Sequence, residues 1–357
     1  MNRNQVIDIL SSLLVIIVGL LIGFVILVIS DSTRAVPAFT NILTFGFRNM
    51  RNVGDVLLAA TPLMLTGLSV AFAFKTGLFN IGASGQFTFG GFVAIYISIE
   101  FTFLPPSIRI ITAIIAAAAA GALWGMIPGL LKAYRNVHEV ISCIMTNYIG
   151  MFLVNWMIIN TIFDQGRGTT LPVPSYANLP SSGLGNIFRD HIRPSNVNIG
   201  IILAILTAII VYIILEKTKF GYELKACGFN KNAAKYAGMN ENKSIVSSMM
   251  ISGALAGIAG SFNYLAGTGL SMSMVDVLAT EGFTGISVAF LGLNHPIGII
   301  FSGIFVAYLF LGGASMQLFG FSIQIVEVVI SMIIYFCAFV FLVKSALNKV
   351  VGKGGKI

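Results

Sequence analysis

Of the chain's 357 residues 57% are hydrophobic and only 10% charged, with a mean hydropathy of +0.92, whereas a soluble domain carries roughly a quarter charged residues. That composition excludes an ordinary soluble protein and fits an all-α, polytopic membrane protein. The net charge of +8 needs no nucleic acid to explain it, because lysine and arginine collect in cytoplasmic loops beside an anionic leaflet.

About 20 helical residues cross a hydrocarbon core, and apolar runs divide the chain into ten expected spans. The first, residues 9–30, is longer than a signal-peptide core and has no small-x-small site close behind it, so it is read as a retained helix. Residues 41–55 follow outside the membrane as a short amphipathic helix along its surface. The second span, 56–74, leads into K-T-G-L-F-N-I-G-A-S-G-Q-F-T-F-G-G (75–91), within which the third span, 80–99, begins. Its glycines permit close helix contact, while Asn80 and Gln86 are uncharged amides able to hydrogen-bond a polar, neutral solute. Spans 108–131 and 140–163 come next; Glu139 opens the latter, and Asn147 adds a third amide. The segment 164–198, with Pro172, Pro174, Pro180, Gly183, Gly185 and Pro194, is a long external loop, either a solvated connector or a landing site for a substrate-binding protein.

After the sixth span, 199–215, the chain turns polar over residues 216–244, with six lysines and three glutamates. Within that island lie Phe220, Tyr222, Leu224, Phe229, Ala233, Ala234, Tyr236 and Met239, an apolar stripe in a solvated loop of the kind that docks a soluble partner. The seventh span, 245–265, is followed by the glycine-rich stretch 267–285 with Asp276 and Glu281. Non-helical backbone at membrane depth is tolerated only where it is buried or lines a cavity, which makes Glu281 a candidate for facing a pathway. The eighth span is 286–293 with its preceding segment, the ninth 297–316, and the tenth 323–343 with Glu327 near its start. An ionisable group inside a span costs about 2.5–3.5 kcal/mol on insertion scales and is a functional candidate by default.

With the N-terminus inside, the inner segments hold Arg3, Lys75, Lys132, Arg135, the island's six lysines and the tail's Lys344, Lys349, Lys353 and Lys356, fourteen in all. The outer segments hold seven, Arg34, Arg48, Arg51, Arg109, Arg167, Arg189 and Arg193. The balance favours this orientation, with island and tail in the cytoplasm.

Several chemistries are excluded. No G-x-x-x-x-G-K-[ST] occurs, and the tail G-K-G-G-K (352–356) lacks that spacing, so the chain is not expected to hydrolyse ATP. His138, His191 and His295 form no i, i+4 pair and no G-x-S-x-G is present. Cys143, Cys227 and Cys337 are an odd number in apolar surroundings, without disulfide or zinc spacing. Neither an enzyme, nor a metal, nor a cofactor is expected.

Five blocks carry a resemblance: F-N-I-G-A-S-G-Q (79–86), V-H-E-V-I-S-C-I-M-T-N-Y-I (137–149), residues 216–240, I-S-G-A-L-A-G-I-A-G (251–260) and G-I-S-V-A-F-L-G (285–292). In order and spacing they are similar to the permease subunits of bacterial ATP-binding-cassette nucleoside importers, which belong with the ribose and branched-chain amino acid permeases. The likeness runs from about residue 61 to 344. It implies a single permease domain over residues 1–357, a multi-pass protein of a bacterial plasma membrane with a type II-like importer fold. The implied partners are a cytoplasmic ATP-binding subunit, a second homologous permease forming a heterodimer, and an extracellular substrate-binding lipoprotein.

By the same resemblance the island is a coupling loop whose helix, Gly228 to Gly238, fits the ATPase through Gly228, Phe229, Ala233, Ala234, Tyr236 and Gly238. Asn80, Gln86, Asn147 and Glu281 are the candidates for lining the substrate path. The family commonly has acids where this chain has Ser84 and Thr284, which leaves a permease for a simple sugar such as ribose as the alternative. A secondary transporter driven by an ion gradient is a further rival, with only Glu139, Asp276, Glu281 and Glu327 to relay charge.

Overall fold

The computed structural model describes residues 3–190, 193–267 and 269–353; His191 and Lys356 lie outside the described residues. α1 (Arg3–Ser30) ends at Asp31, whose carboxylate accepts from the backbone of Thr33 and Arg34 and so starts α2 (Ser32–Thr44). The hydroxyl of Thr33 and those two amides hold the Asp31 carboxyl below its usual range. α2 is amphipathic and buries Ala35, Ala38, Asn41 and Ile42. The short surface helix expected over 41–55 is not formed there: α2, started by the Asp31 cap, ends at Thr44, a 3-10 turn spans Phe45–Phe47, and the next helix begins at Met50. A second cap, Asn49, starts the next helix, α3 (Met50–Lys75), ahead of the apolar run.

α4 (Ala83–Glu100), α5 (Pro106–Arg135) and α6 (Glu139–Asn160) follow. The loop beyond α6 forms a two-stranded hairpin, β1 (Phe163–Asp164) with β2 (Thr169–Thr170), and one helical turn, α7 (Leu184–Ile187). Then come α8 (Gly200–Lys217), α9 (Lys219–Phe229), α10 (Lys231–Tyr236), α11 (Glu241–Tyr264), α12 (Thr280–Leu291), α13 (Pro296–Ala314), α14 (Ile323–Cys337) and α15 (Val340–Lys353).

Among the described residues eight helical stretches are long and apolar enough to cross a membrane. The other two expected spans are α4, which starts deep in the bundle, and α12, which has 12 residues and is completed by the irregular stretch before it. In α3 83% of the apolar window is buried against 22% in α1, so α3 is the central post and α1 lies at the lipid-facing edge. Around α3 the helices approach through glycine. A Cβ added at Gly121 of α5 would lie 2.2 Å from the Gly253 carbonyl oxygen of α11, and one at Gly260 the same distance from the Phe87 carbonyl oxygen of α4. Small residues let backbones touch in this way where no hydrophobic force separates helix from lipid.

Contacts sort the chain's turns into two ends. At one, Lys344 pairs with Asp8 at 2.5 Å, Lys225 with Glu216 at 2.8 Å and Lys132 with Glu139 at 2.8 Å, while Phe74, Phe79, Phe290 and Phe341 form a ring cluster. This is the end to which the charge balance assigns the cytoplasm, here called the inner end. His295, beside the Tyr212 ring there, is held below the usual histidine range by partial burial and the nearby Lys75 charge. At the outer end Ser195 donates to Asp55 at 2.8 Å, Asn41 to Ser315, and Arg109 to the carbonyls of Thr102 and Leu104, with its guanidinium over the Tyr176 ring.

Candidate functional site

Two breaks in the helical bundle meet near mid-depth. After α3 the chain turns back at Gly77, whose φ is +72°, and climbs through irregular residues 78–82 before α4 starts. After α11 it runs irregularly and then enters α12. α4 heads for the outer end and α12 for the inner, and their N-termini abut: a Cβ on Gly282 would lie 2.4 Å from the Cα and nitrogen of Ser84, whose hydroxyl donates to the Ala279 carbonyl at 2.8 Å.

The first break is sealed. Asn80, Gln86 and Asn147 are 0–1% exposed. The Asn80 amide donates to Gln86 Oε1 and to Ser252 Oγ, both at 2.7 Å, and accepts from Gln86 Nε2 at 3.2 Å. Asn147 Oδ1 accepts from the Gly85 N–H at 2.8 Å and its Nδ2 donates to the Ile81 carbonyl at 3.0 Å. Asn147 thus satisfies backbone groups that the missing helical turn leaves open, while Asn80 and Gln86 satisfy each other and Ser252. Sequence reasoning missed their partners: Ser252 also donates to the Ser69 carbonyl at 2.7 Å, and Ser248 bonds the Thr76 hydroxyl. The available signal was the small polar series Ser244, Ser248, Ser252 at i, i+4, i+8 in an apolar helix.

The second break is open on one side. Its backbone pairs with the outer loop, Val173 N–H to the Leu270 carbonyl at 2.9 Å and Thr170 N–H to the Met272 carbonyl at 2.9 Å. Asp276 accepts from Asn155 on α6 at 3.2 Å. On the other side is a cavity of about 680 Å³ lined by Asp55, Asn196, Asn263, Tyr264, Ser271, Thr280, Glu281 and Thr284, among others. Glu281 sits in the first turn of α12, where the helix dipole favours an anion, and its carboxylate makes no hydrogen bond or ion pair among the described residues. Of the four candidate pathway residues, the structure thus places Glu281 on the cavity wall and gathers the three amides into a brace beside it. Ser84 sits at the helix junction, and Thr284 lines the cavity one turn beyond Thr280.

At the inner end the polar island folds into an elbow of three capped helices. Thr218 caps α9, Asn230 caps α10 and Asn240 caps α11, and Gly238, at φ +80°, lets the chain leave α10. Gly228 seats the elbow on the turn after α3, where a Cβ would lie 2.7 Å from the Thr76 carbonyl carbon. Leu224, Cys227 and Ala234 point into the protein. Ala233 and Gly238 are exposed, while Phe229 and Tyr236 are 90% and 95% exposed. The coupling candidates therefore divide into Gly228 and Ala234, which seat the elbow, and Phe229, Ala233, Tyr236 and Gly238, which face away from it.

Residues 52–338 match the family model described as branched-chain amino acid transport system / permease component. The chain is similar to the guanosine ABC transporter permease protein NupP of Bacillus subtilis (strain 168), at 39% identity over 97% of both chains. It is also similar to the nucleoside ABC transporter permease protein NupB of Lactococcus lactis subsp. cremoris (strain MG1363), at 33% identity over 97% of this chain and 95% of that one. A second Bacillus subtilis protein, the guanosine ABC transporter permease protein NupQ, is 28% identical over 72% of this chain and 79% of its own. No solved structure matches.

Proposed function

The chain belongs to the family of branched-chain amino acid transport system permease components, and from that premise we propose that it is the transmembrane subunit of an ATP-driven importer that carries nucleosides into a bacterial cell. It catalyses no reaction itself; ATP is hydrolysed by a separate cytoplasmic subunit, a second homologous permease completes the membrane unit, and an extracellular lipoprotein delivers the solute. The nucleoside assignment, in preference to a simple sugar, is supported by the likeness to NupP and NupB over nearly the whole chain, and the second permease by the likeness to both NupP and NupQ of one organism.

The observation that carries the mechanism is the elbow. Two aromatic rings, Phe229 and Tyr236, are the most exposed large apolar side chains among the described residues and stand at the inner end, and exposed aromatics of this kind anchor protein interfaces. They form the plug that the ATP-binding subunit grips, seated by Gly228 and Ala234. Glu281 and the cavity above it form the entry to the path, and the Asn80, Gln86 and Asn147 brace fixes the depth at which α4 begins beside it.

The test is uptake of radiolabelled guanosine and uridine by cells expressing the complete assembly, with Phe229→Ala and Tyr236→Ala combined. The expected result is full membrane insertion, loss of ATP-binding-subunit co-purification and at least tenfold lower uptake. Normal uptake by the double variant rejects the elbow as the contact, and no nucleoside uptake by the wild-type assembly rejects the substrate class.

A further inference from the structure

A second cavity, of about 790 Å³, opens on the flank of the bundle between α12, the outer end of α13 and α14. Each of its two long walls carries a polar stripe among apolar side chains such as Phe283, Val326, Ile330 and Ile334. α12 contributes Thr280, Thr284 and Ser287, at i, i+4, i+7, and α14 contributes Glu327, Ser331 and Tyr335, at i, i+4, i+8. At 3.6 residues per turn each set shares one helix face, and the cavity lies between the two faces.

α14 lies within an apolar stretch long enough to cross a membrane. Glu327 is about one turn from its outer end, within reach of the headgroups by itself. Ser331 and Tyr335 carry the stripe roughly 12 Å deeper, where leaning toward the surface no longer brings a polar group to water. Polar groups at such depth face a bundle interior or a water-filled cavity rather than lipid. Glu327, Ser331 and Tyr335 are all exposed on the single chain, so the open side of the groove is closed by a wall from outside it, which in the proposed assembly is the second permease. Thr280, Thr284 and Phe310 line this groove and the outer cavity of Glu281 alike. The two spaces are therefore neighbours around the start of α12.

We propose that this groove is a solute-binding wall of the translocation path, with Glu327 accepting hydrogen bonds from two adjacent sugar hydroxyls while Ser331, Tyr335 and Thr284 meet the solute's remaining polar edge. One carboxylate presents two acceptor oxygens to neighbouring hydroxyl donors, the chemistry by which acidic side chains hold ribose. The lining includes no lysine, arginine or histidine, so a phosphorylated solute meets a like charge and no counter-charge. The volume falls in the range of small-molecule sites.

The inference rests on the nucleoside-importer reading, and two measurements keep the two apart. In the complete reconstituted assembly, at saturating binding protein, Glu327→Gln is expected to change the ratio of uridine to 2′-deoxyuridine transport rates about tenfold in favour of the deoxy solute, the loss of one charge-assisted hydrogen bond. Glu327→Asp is expected to keep the wild-type order. Equal slowing of both solutes by Glu327→Gln overturns the assignment of Glu327. Independently, Ser331→Cys, in a chain with Cys143, Cys227 and Cys337 replaced by serine, is expected to react with a membrane-impermeant thiol reagent added from outside, and saturating uridine is expected to slow that reaction. Absence of labelling in the folded assembly overturns the water-filled groove. If the wild-type assembly carries neither solute, the nucleoside reading falls with its hydroxyl contact, and the labelling of Ser331→Cys still decides whether the groove is a path.

Discussion

Ahead of α4, residues 76–82 leave the helical ladder among buried amides and serines; ahead of α12, residues 265–267 and 269–279 leave it against the outer loop and a cavity. Both are breaks in backbone hydrogen bonding within a chain that spans lipid, where an unpaired N–H or carbonyl is costly. They are resolved differently. The first recruits side chains from α6 and α11 and leaves no room, so its polar residues hold a position. The second pairs main chain with main chain on one side and leaves Glu281 facing a cavity on the other, so its polar residue lines open space. Polarity at depth in this protein therefore occurs in two settings, and burial with satisfied partners tells them apart.

Breaking the sealed side should have the largest effect. Asn147→Leu strands the Gly85 N–H and the Ile81 carbonyl, each at about 1–3 kcal/mol. The thermal unfolding midpoint of the detergent-solubilised chain is expected to fall sharply. Asn155→Leu, an amide change at a half-buried position whose partner Asp276 is exposed, should barely move it, and equal shifts for the two would erase the distinction.

Next comes the junction that both breaks share. Gly282→Ala places a methyl 2.4 Å from the Ser84 backbone, and overpacking of this kind costs about 1–3 kcal/mol. Because the contact is with backbone atoms, Ser84→Gly should fail to rescue it in a double-mutant cycle. Full rescue would mean that the helix ends touch only through side chains. The smallest change in stability is expected at the open break: Glu281→Gln should stay within about 0.5 kcal/mol, yet alter the relative transport of competing nucleosides. A loss of stability comparable to that of Asn147→Leu would make Glu281 part of the brace.

Much of this architecture was legible in the sequence. Apolar length marked the spans, and the glycine-rich run before residue 285 announced irregular backbone at depth. What one dimension does not carry is the partner. The hydrogen-bonding capacity of Asn80 is written in its side chain, but whether it meets a solute or Ser252, 172 positions away, depends on how α3 and α11 pack. The island shows the same limit: its apolar stripe signals docking, whereas the inward turn of Ala234 and the outward turn of Tyr236 follow from Gly228 settling on Gly77. The cap at Asp31 was readable by rule, and its carboxylate starts α2.

The glycine contact between α5 and α11 has a mechanical meaning. With Gly121 and Gly253 meeting backbone to backbone, no side chains lie at that contact to yield by changing rotamer, so the two helices form one stiff beam. α11 begins three residues past Gly238 in the elbow and, 24 residues on, ends at Tyr264 in the wall of the outer cavity, a length of roughly 36 Å. A displacement imposed on the elbow is thus expected to reach Asn263 and Tyr264 as rigid travel rather than as a wave of small adjustments.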